Sequence, residues 1–155
     1  MTSYSPTSMV PHPTLVVDAS VAVRAVLPVE DKPLIQKRFE SWHKSLSKIY
    51  APAILLPEAV SVIRRGVFER WISEGEGQIA VEDVFRLGVE VIPSDNQLCL
   101  AALAWAGRLG QSKAYDGFYL ALAERLSAEL WTADKRLRNR AGQLGVAWVR
   151  WIGEG

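Results

Sequence analysis

Cysteine is nearly absent from this chain. Cys99 is the only one among 155 residues, which excludes an internal disulfide and any cysteine-rich zinc site. Histidine is almost as scarce. His12 and His43 stand alone, without a partner at any ligand or triad spacing, so histidine-based catalysis has little to work with. No apolar run approaches the ~20 residues of a membrane span, and the N-terminus lacks the basic and apolar regions of a secretory signal. The expected location is cytoplasmic, with no membrane partner. Neither sign of charge dominates. Eighteen Lys and Arg against 17 Asp and Glu leave a net charge of +1, so any affinity for a polyanion must come from a local patch.

What remains has the composition of one globular domain, 49% hydrophobic and 23% charged, long enough for a sizeable core. Residues 1–13, rich in Ser, Thr and Pro, read as a disordered tail, and residues 14–152 as the domain. Thr14-Leu15-Val16-Val17 is a continuous apolar run of the kind found in central parallel strands. A short helix over Ala19 to Val26 follows, stopped near Pro28. Further helices are expected over Lys32 to Leu46, from about Leu56 with Val60, Ile63 and Val67 on its buried face, and from about Glu74 to Arg86 carrying Ile79, Val84 and Leu87. Two more run over Asn96 to Leu109, with Gly110 at C′, and from Asp116 to Leu126. Strands are expected at Lys48 to Ala51, Val89 to Ile92, Leu130 with Trp131, and Val146 to Val149, with a last helix from Asp134 to Ala141. Strand and helix alternate throughout, the order of an α/β domain with a mostly parallel central sheet and helices on both faces.

Four acids occupy equivalent places in that order. Asp18, Glu58, Asp116 and Asp134 each follow a strand or open a helix, 40, 58 and 18 residues apart. Any one of them could serve only the helix dipole, worth roughly 0.3–1 kcal/mol in a first turn. Together they would share the carboxyl edge of a parallel sheet, where open α/β folds place their sites. Two like charges at ~4 Å cost about 4 kcal/mol at an effective dielectric near 20, so a cluster of four calls for a cation or for protons. Hard oxygen donors without thiolate or imidazole point to Mg²⁺ or Mn²⁺. Such ions suit phosphoryl chemistry.

The segments around these acids carry a resemblance. Val-Val-Asp18-Ala-Ser20-Val, Pro57-Glu58-Ala-Val-Ser-Val-Ile-Arg64-Arg65, Tyr115-Asp116-Gly-Phe-Tyr-Leu-Ala-Leu-Ala-Glu and Leu-Trp-Thr132-Ala-Asp134-Lys-Arg-Leu together resemble PIN-domain ribonucleases, above all the VapC-like toxins of toxin–antitoxin pairs. The resemblance spans Leu15 to Trp148. It implies a single PIN-like domain and a Mg²⁺- or Mn²⁺-dependent endoribonuclease. Asp18, Glu58, Asp116 and Asp134 would be the acidic quartet, Thr132 a hydroxyl supporting the last acid, and Ser20 a polar position after the first. It also implies an RNA substrate, an inhibiting antitoxin and a homodimer. The alternative from another class is a non-catalytic PIN-like module that binds RNA or protein, against which the intact acid set speaks.

Lys113, Lys135 and Arg136 flank the acids and are the candidate contacts to RNA phosphates. Arg138 and Arg140 continue the same basic run. Trp42, Trp71 and Trp151 read as surface residues, Trp105 and Trp131 as core, and Cys99 as packed within its helix.

Overall fold

The structure, a computed structural model, describes residues 12–154. The expected tail, residues 1–13, lies almost entirely outside them. Of that stretch only His12 and Pro13 are described, and the Pro13 carbonyl already accepts the Lys48 N–H at 2.8 Å.

Five strands form one sheet: β1 (Thr14–Val17), β2 (Lys48–Pro52), β3 (Val89–Ile92), β4 (Glu129–Thr132) and β5 (Val149–Trp151). Their order is β3-β2-β1-β4-β5, and every neighbouring pair is parallel. The apolar run of β1 takes the centre because it can bury both faces. Leu15 and Val17 pack into one layer and Val16 into the other. The first layer belongs to α1 (Ala19–Val26), α2 (Lys32–Lys44), α3 (Leu55–Phe68) and α4 (Glu74–Phe85). The second belongs to α5 (Asn96–Leu109), α6 (Tyr115–Arg125) and α7 (Lys135–Gln143).

Several elements differ from the sequence reading, each for a local reason. α2 stops at Lys44. The Ser45 hydroxyl donates back to the Ser41 and Trp42 carbonyls, and the chain turns through Leu46 at φ 56°, leaving it exposed. The buried face of α3 is Leu55, Ala59, Ile63 and Gly66; Ile63 is buried as expected, while the other three lie one residue before the expected stripe and Val60 points outward at 47% exposure. Small residues win there because they let neighbours approach. A Cβ on Gly66, for example, would already lie in contact with the Ile72 side chain, at 3.5 Å. In α4, opened by a reciprocal Ser73–Glu76 capping box, Gly77, Ala80 and Val84 are buried while Ile79 faces outward. β5 begins at Val149, not Val146. Gly145, at φ 79°, ends the turn after α7, and the Val146 N–H bonds to the Ala141 carbonyl, which holds Val146 in the connection.

Two side chains reverse their expected places. Trp42 is buried, packed edge-on against Phe39 and Trp131 at 5.1 and 5.5 Å. Cys99 is exposed, because it follows the buried Leu98 on the outer side of α5.

Candidate active site

Strand order turns back between β1 and β4, and the carboxyl ends of these two strands lie side by side. That is where a doubly wound sheet opens a crevice. Asp18 leaves β1 there as the N-cap of α1, its side chain accepting the Val21 N–H at 3.2 Å. Its own N–H bonds to the Trp131 carbonyl of β4 at 3.2 Å. Asp134 follows β4 as the N-cap of α7 and accepts the N–H groups of Arg136 and Leu137 at 2.9 and 3.4 Å. Glu58 lies in the first turn of α3, behind β2.

Asp116 reaches the same edge by another route, in the first turn of α6. α5 and α6 cross closely enough that a Cβ on Gly117 would lie 2.3 Å from the Ala102 carbonyl oxygen. No other residue fits beside Asp116 without parting the two helices.

The acids sense one another. Burial pushes the Asp18 carboxyl up to about 6, partly offset by hydrogen bonds from Ser20 and Thr132, with the Asp116 charge adding to the rise. Burial, aided by the Asp18 and Asp116 charges and partly offset by the Tyr119 hydrogen bond, lifts Glu58 to about 7. Asp116 is raised by burial and by the charge of Asp134. These couplings join the four acids that the sequence reading selected.

Each carboxylate is held by uncharged donors alone. The Ser20 hydroxyl donates to Asp18 at 2.5 Å, the Gln111 amide to Asp116 at 2.8 Å and the Tyr119 hydroxyl to Glu58 at 3.1 Å, while backbone amides serve Asp134. Among the described residues none of the four is in a salt bridge with Lys or Arg. Nor do any three His, Cys, Asp or Glu side chains there close tightly enough to enclose an ion. The donor set nevertheless fits a hard divalent cation: oxygen ligands, negative charge left uncompensated, and neutral hydrogen bonds to the carboxylates that orient without neutralising them.

Ser20 and Thr132 form the bridge behind this set. The Ser20 hydroxyl accepts the Ala133 N–H at 2.9 Å and lies 3.4 Å from the Thr132 hydroxyl oxygen, which in turn accepts the Asp134 N–H at 3.0 Å. Thr132 is fully buried.

Of the basic candidates, Lys113 is exposed in the α5–α6 loop and Arg136 is exposed in the first turn of α7. The Lys135 ammonium lies 4.9 Å from the Trp151 ring centre. Arg138 and Arg140 are engaged elsewhere. An Arg138 guanidinium nitrogen is 2.7 Å from a Glu154 carboxylate oxygen, a charge contact poorly angled for a hydrogen bond. Arg140 donates to the Leu109 carbonyl and to Gln143.

Sequence reasoning missed Gln111 and the polar role of Tyr119. Tyr119 was legible as core, and its place three residues after Asp116 on one helix face is the signal that ties it to the site. Beside Ser20 and Glu58, an apolar groove of about 430 Å³ runs along α1 and α3, walled by Val23, Leu27, Val62, Trp71 and Ile72. Among the described residues no helix is long and apolar enough to cross a membrane.

Known proteins share this fold. The PIN domain model matches residues 15–143. Ribonuclease VapC12 of Mycobacterium tuberculosis is 31% identical over 128 residues, covering 83% of this chain and 92% of its own. Two solved structures share the fold at low identity. VapC20 of Mycobacterium tuberculosis, a sarcin-ricin loop cleaving toxin, superposes with a TM-score of 0.63 at 14% identity, over 88% of this chain and 98% of its own. A toxin–antitoxin complex from Klebsiella pneumoniae gives 0.60 at 15%, over 91% and 99%.

Proposed function

The chain belongs to the PIN-domain family, and from that premise we propose that it is a divalent-metal-dependent endoribonuclease, the toxin of a toxin–antitoxin pair. The observation that carries the reading is the set of four neighbouring carboxylates, each oriented by neutral donors and none paired with a cation among the described residues. The 31% identity to a VapC ribonuclease supports the RNA substrate.

Asp18, Asp116 and Asp134 would hold Mg²⁺ or Mn²⁺, with Glu58 a ligand or the orienter of the attacking water. When bound, such a cation supplies Lewis-acid activation of water and neutralises charge on the scissile phosphate. The reaction is hydrolysis. A water oxygen attacks phosphorus in line, the 3′ oxygen leaves and takes a proton, and the products carry a 3′-hydroxyl and a 5′-phosphate. Ser20 and Thr132 keep Asp18 and Asp134 at fixed separation, which is the positioning such a displacement requires. Lys113, Lys135 and Arg136 take the charge of flanking phosphates.

Residues 14–152 are the proposed catalytic domain, working in the cytoplasm. An antitoxin is the proposed inhibitor, and the apolar groove beside Glu58 offers it a seat next to the acids. A homodimer is the proposed assembly, for which the exposed Leu100 and Leu103 on the outer face of α5 are the candidate surface.

The test is cleavage of a mixed pool of structured RNAs by the purified protein in Mg²⁺, Mn²⁺ or EDTA, beside Asp116→Asn. Metal-dependent cutting that vanishes in the variant supports the reading. Full activity in Asp116→Asn, or in EDTA, overturns it.

A further inference from the structure

Tyr119 is the largest fully buried side chain of the described core, only 1% exposed. A phenol buried that deeply needs a partner for its hydroxyl. It finds one 61 residues away, at Glu58 Oε1, 3.1 Å distant. A neutral phenol donates its O–H, and the Glu58 carboxylate accepts it.

We propose that Tyr119 is a positioning residue of the metal site: by engaging Oε1 of Glu58 it turns Oε2 toward the cation that Asp18 and Asp116 would hold. The inference rests on the metal-dependent reading given above. Glu58 needs such help more than the other acids. Asp18 and Asp134 are N-caps, fixed by backbone amides of their own helices. Glu58 lies in the first turn of α3 with a longer side chain and no capping role, and the Tyr119 hydroxyl is the only hydrogen-bond donor its carboxylate has among the described residues. The bond also joins α6 to α3, elements of opposite layers, at the one edge where both present an acid. A neutral hydroxyl orients Glu58 and leaves its charge available, which an Arg or Lys in the same place would cancel.

Tyr119→Phe keeps the ring in the core and deletes only the hydroxyl. Mn²⁺ binding to the purified protein, followed by electron paramagnetic resonance, reads the effect without reference to turnover. The variant should bind Mn²⁺ about tenfold more weakly, the usual size of an outer-shell loss, with its melting temperature in EDTA little changed. Glu58→Gln should lose a similar factor, and Tyr119→Phe should add almost nothing to Glu58→Gln. Glu58→Asp leaves the core untouched and withdraws the carboxylate from the phenol by one methylene, so it should also weaken Mn²⁺. Unchanged affinity in Tyr119→Phe, or an equal loss from Tyr119→Phe in the Glu58→Gln background, overturns the proposal while leaving the metal site standing. An unaltered protein that binds no Mn²⁺ overturns the metal reading and this inference with it.

Discussion

Ser20 and Thr132 are 112 residues apart in the chain, and their hydroxyl oxygens lie 3.4 Å apart behind Asp18 and Asp134. Ser20 opens α1 directly after β1, and Thr132 closes β4. The pair therefore fastens the two central strands together at the end where the acids emerge. Ser20 donates to Asp18 and accepts the Ala133 N–H at once.

Ser20→Ala should therefore cost both stability and activity. It leaves the Ala133 N–H without its partner and removes a donor from a buried carboxylate, losses worth about 1–3 kcal/mol together. Thr132→Val keeps the shape and frees the Asp134 N–H. Urea denaturation of the two single variants and the double variant gives the coupling. Because the hydroxyls serve one network, the double loss should fall short of the sum by at least ~0.5 kcal/mol. Strict additivity would show that the two act separately.

The raised carboxyls predict an unusual pH dependence in EDTA. Asp18 titrates near 6 and Glu58 near 7 in the folded protein, against ordinary values of 3.8 and 4.5. A raised carboxyl favours the folded state when protonated. Its contribution is complete below the ordinary value and is lost as pH climbs through the folded one. The metal-free protein should thus become less stable from about pH 4.5 to 7. The depressed Asp95 and Glu154, held down by Arg125 and Arg150, act in the opposite sense but at more acid pH. Mg²⁺ or Mn²⁺ should raise the melting temperature more at pH 8 than at pH 5, since it binds the ionised acids. Melting curves at both pH values, with and without metal, check this. A metal-induced rise that is larger at pH 5 would contradict it.

Gly117→Ala is expected to be far more damaging than its one methyl suggests. The new Cβ would stand 2.3 Å from the Ala102 carbonyl oxygen, a backbone atom that cannot move without displacing α5. Overpacking of this kind costs roughly 1–3 kcal/mol, and the displacement carries Asp116 with it. Chemical denaturation should report the loss, and RNA cleavage should fall even where most of the protein remains folded. Gly107→Ala, on the open side of α5 where a Cβ meets nothing within 4 Å, is the matched control and should be neutral or slightly stabilising.

The contrast between Gly117 and Val60 shows which parts of this molecule were legible in its sequence. The four acids could be read because each follows an apolar strand or opens a helix, boundaries marked by composition. The parallel order and the helix ends at Val26 and Leu109 were marked in the same way, the latter by Gly110 at φ 69°. The buried face of α3 was misread because Val60 looks like core and Ala59 does not, yet close packing selects the smaller residue. Gln111 was invisible for a different reason. Its contact with Asp116 depends on the left-handed turn at Gly110 and on the Gln111 N–H closing back on the Ala106 carbonyl. That geometry leaves no trace in residue type. β5 shifted by three residues because Val146, apolar enough for a strand, is held instead by the turn that ends α7.

The basic residues divide by what already occupies them, and binding should follow that division. Lys113 and Arg136 are exposed and lie in no salt bridge among the described residues, and Lys135 rests near the Trp151 ring. Arg138 is taken up by Glu154. A phosphate contact releases counterions from RNA, by roughly 0.7 in log–log slope for each site on a single strand. In an Asp116→Asn background, where no cutting disturbs the equilibrium, Arg136→Ala and Lys113→Ala should each weaken RNA binding several-fold and flatten the salt dependence by about one contact. Arg138→Ala should change the slope little and act instead on stability, because it removes one of the two arginines that pair with the Glu154 carboxylate. Fluorescence anisotropy over a series of KCl concentrations distinguishes these outcomes. If Arg138→Ala flattened the slope as much as Arg136→Ala, RNA would have to displace Glu154, and the phosphate path would run along the whole of α7 instead of staying beside Asp134.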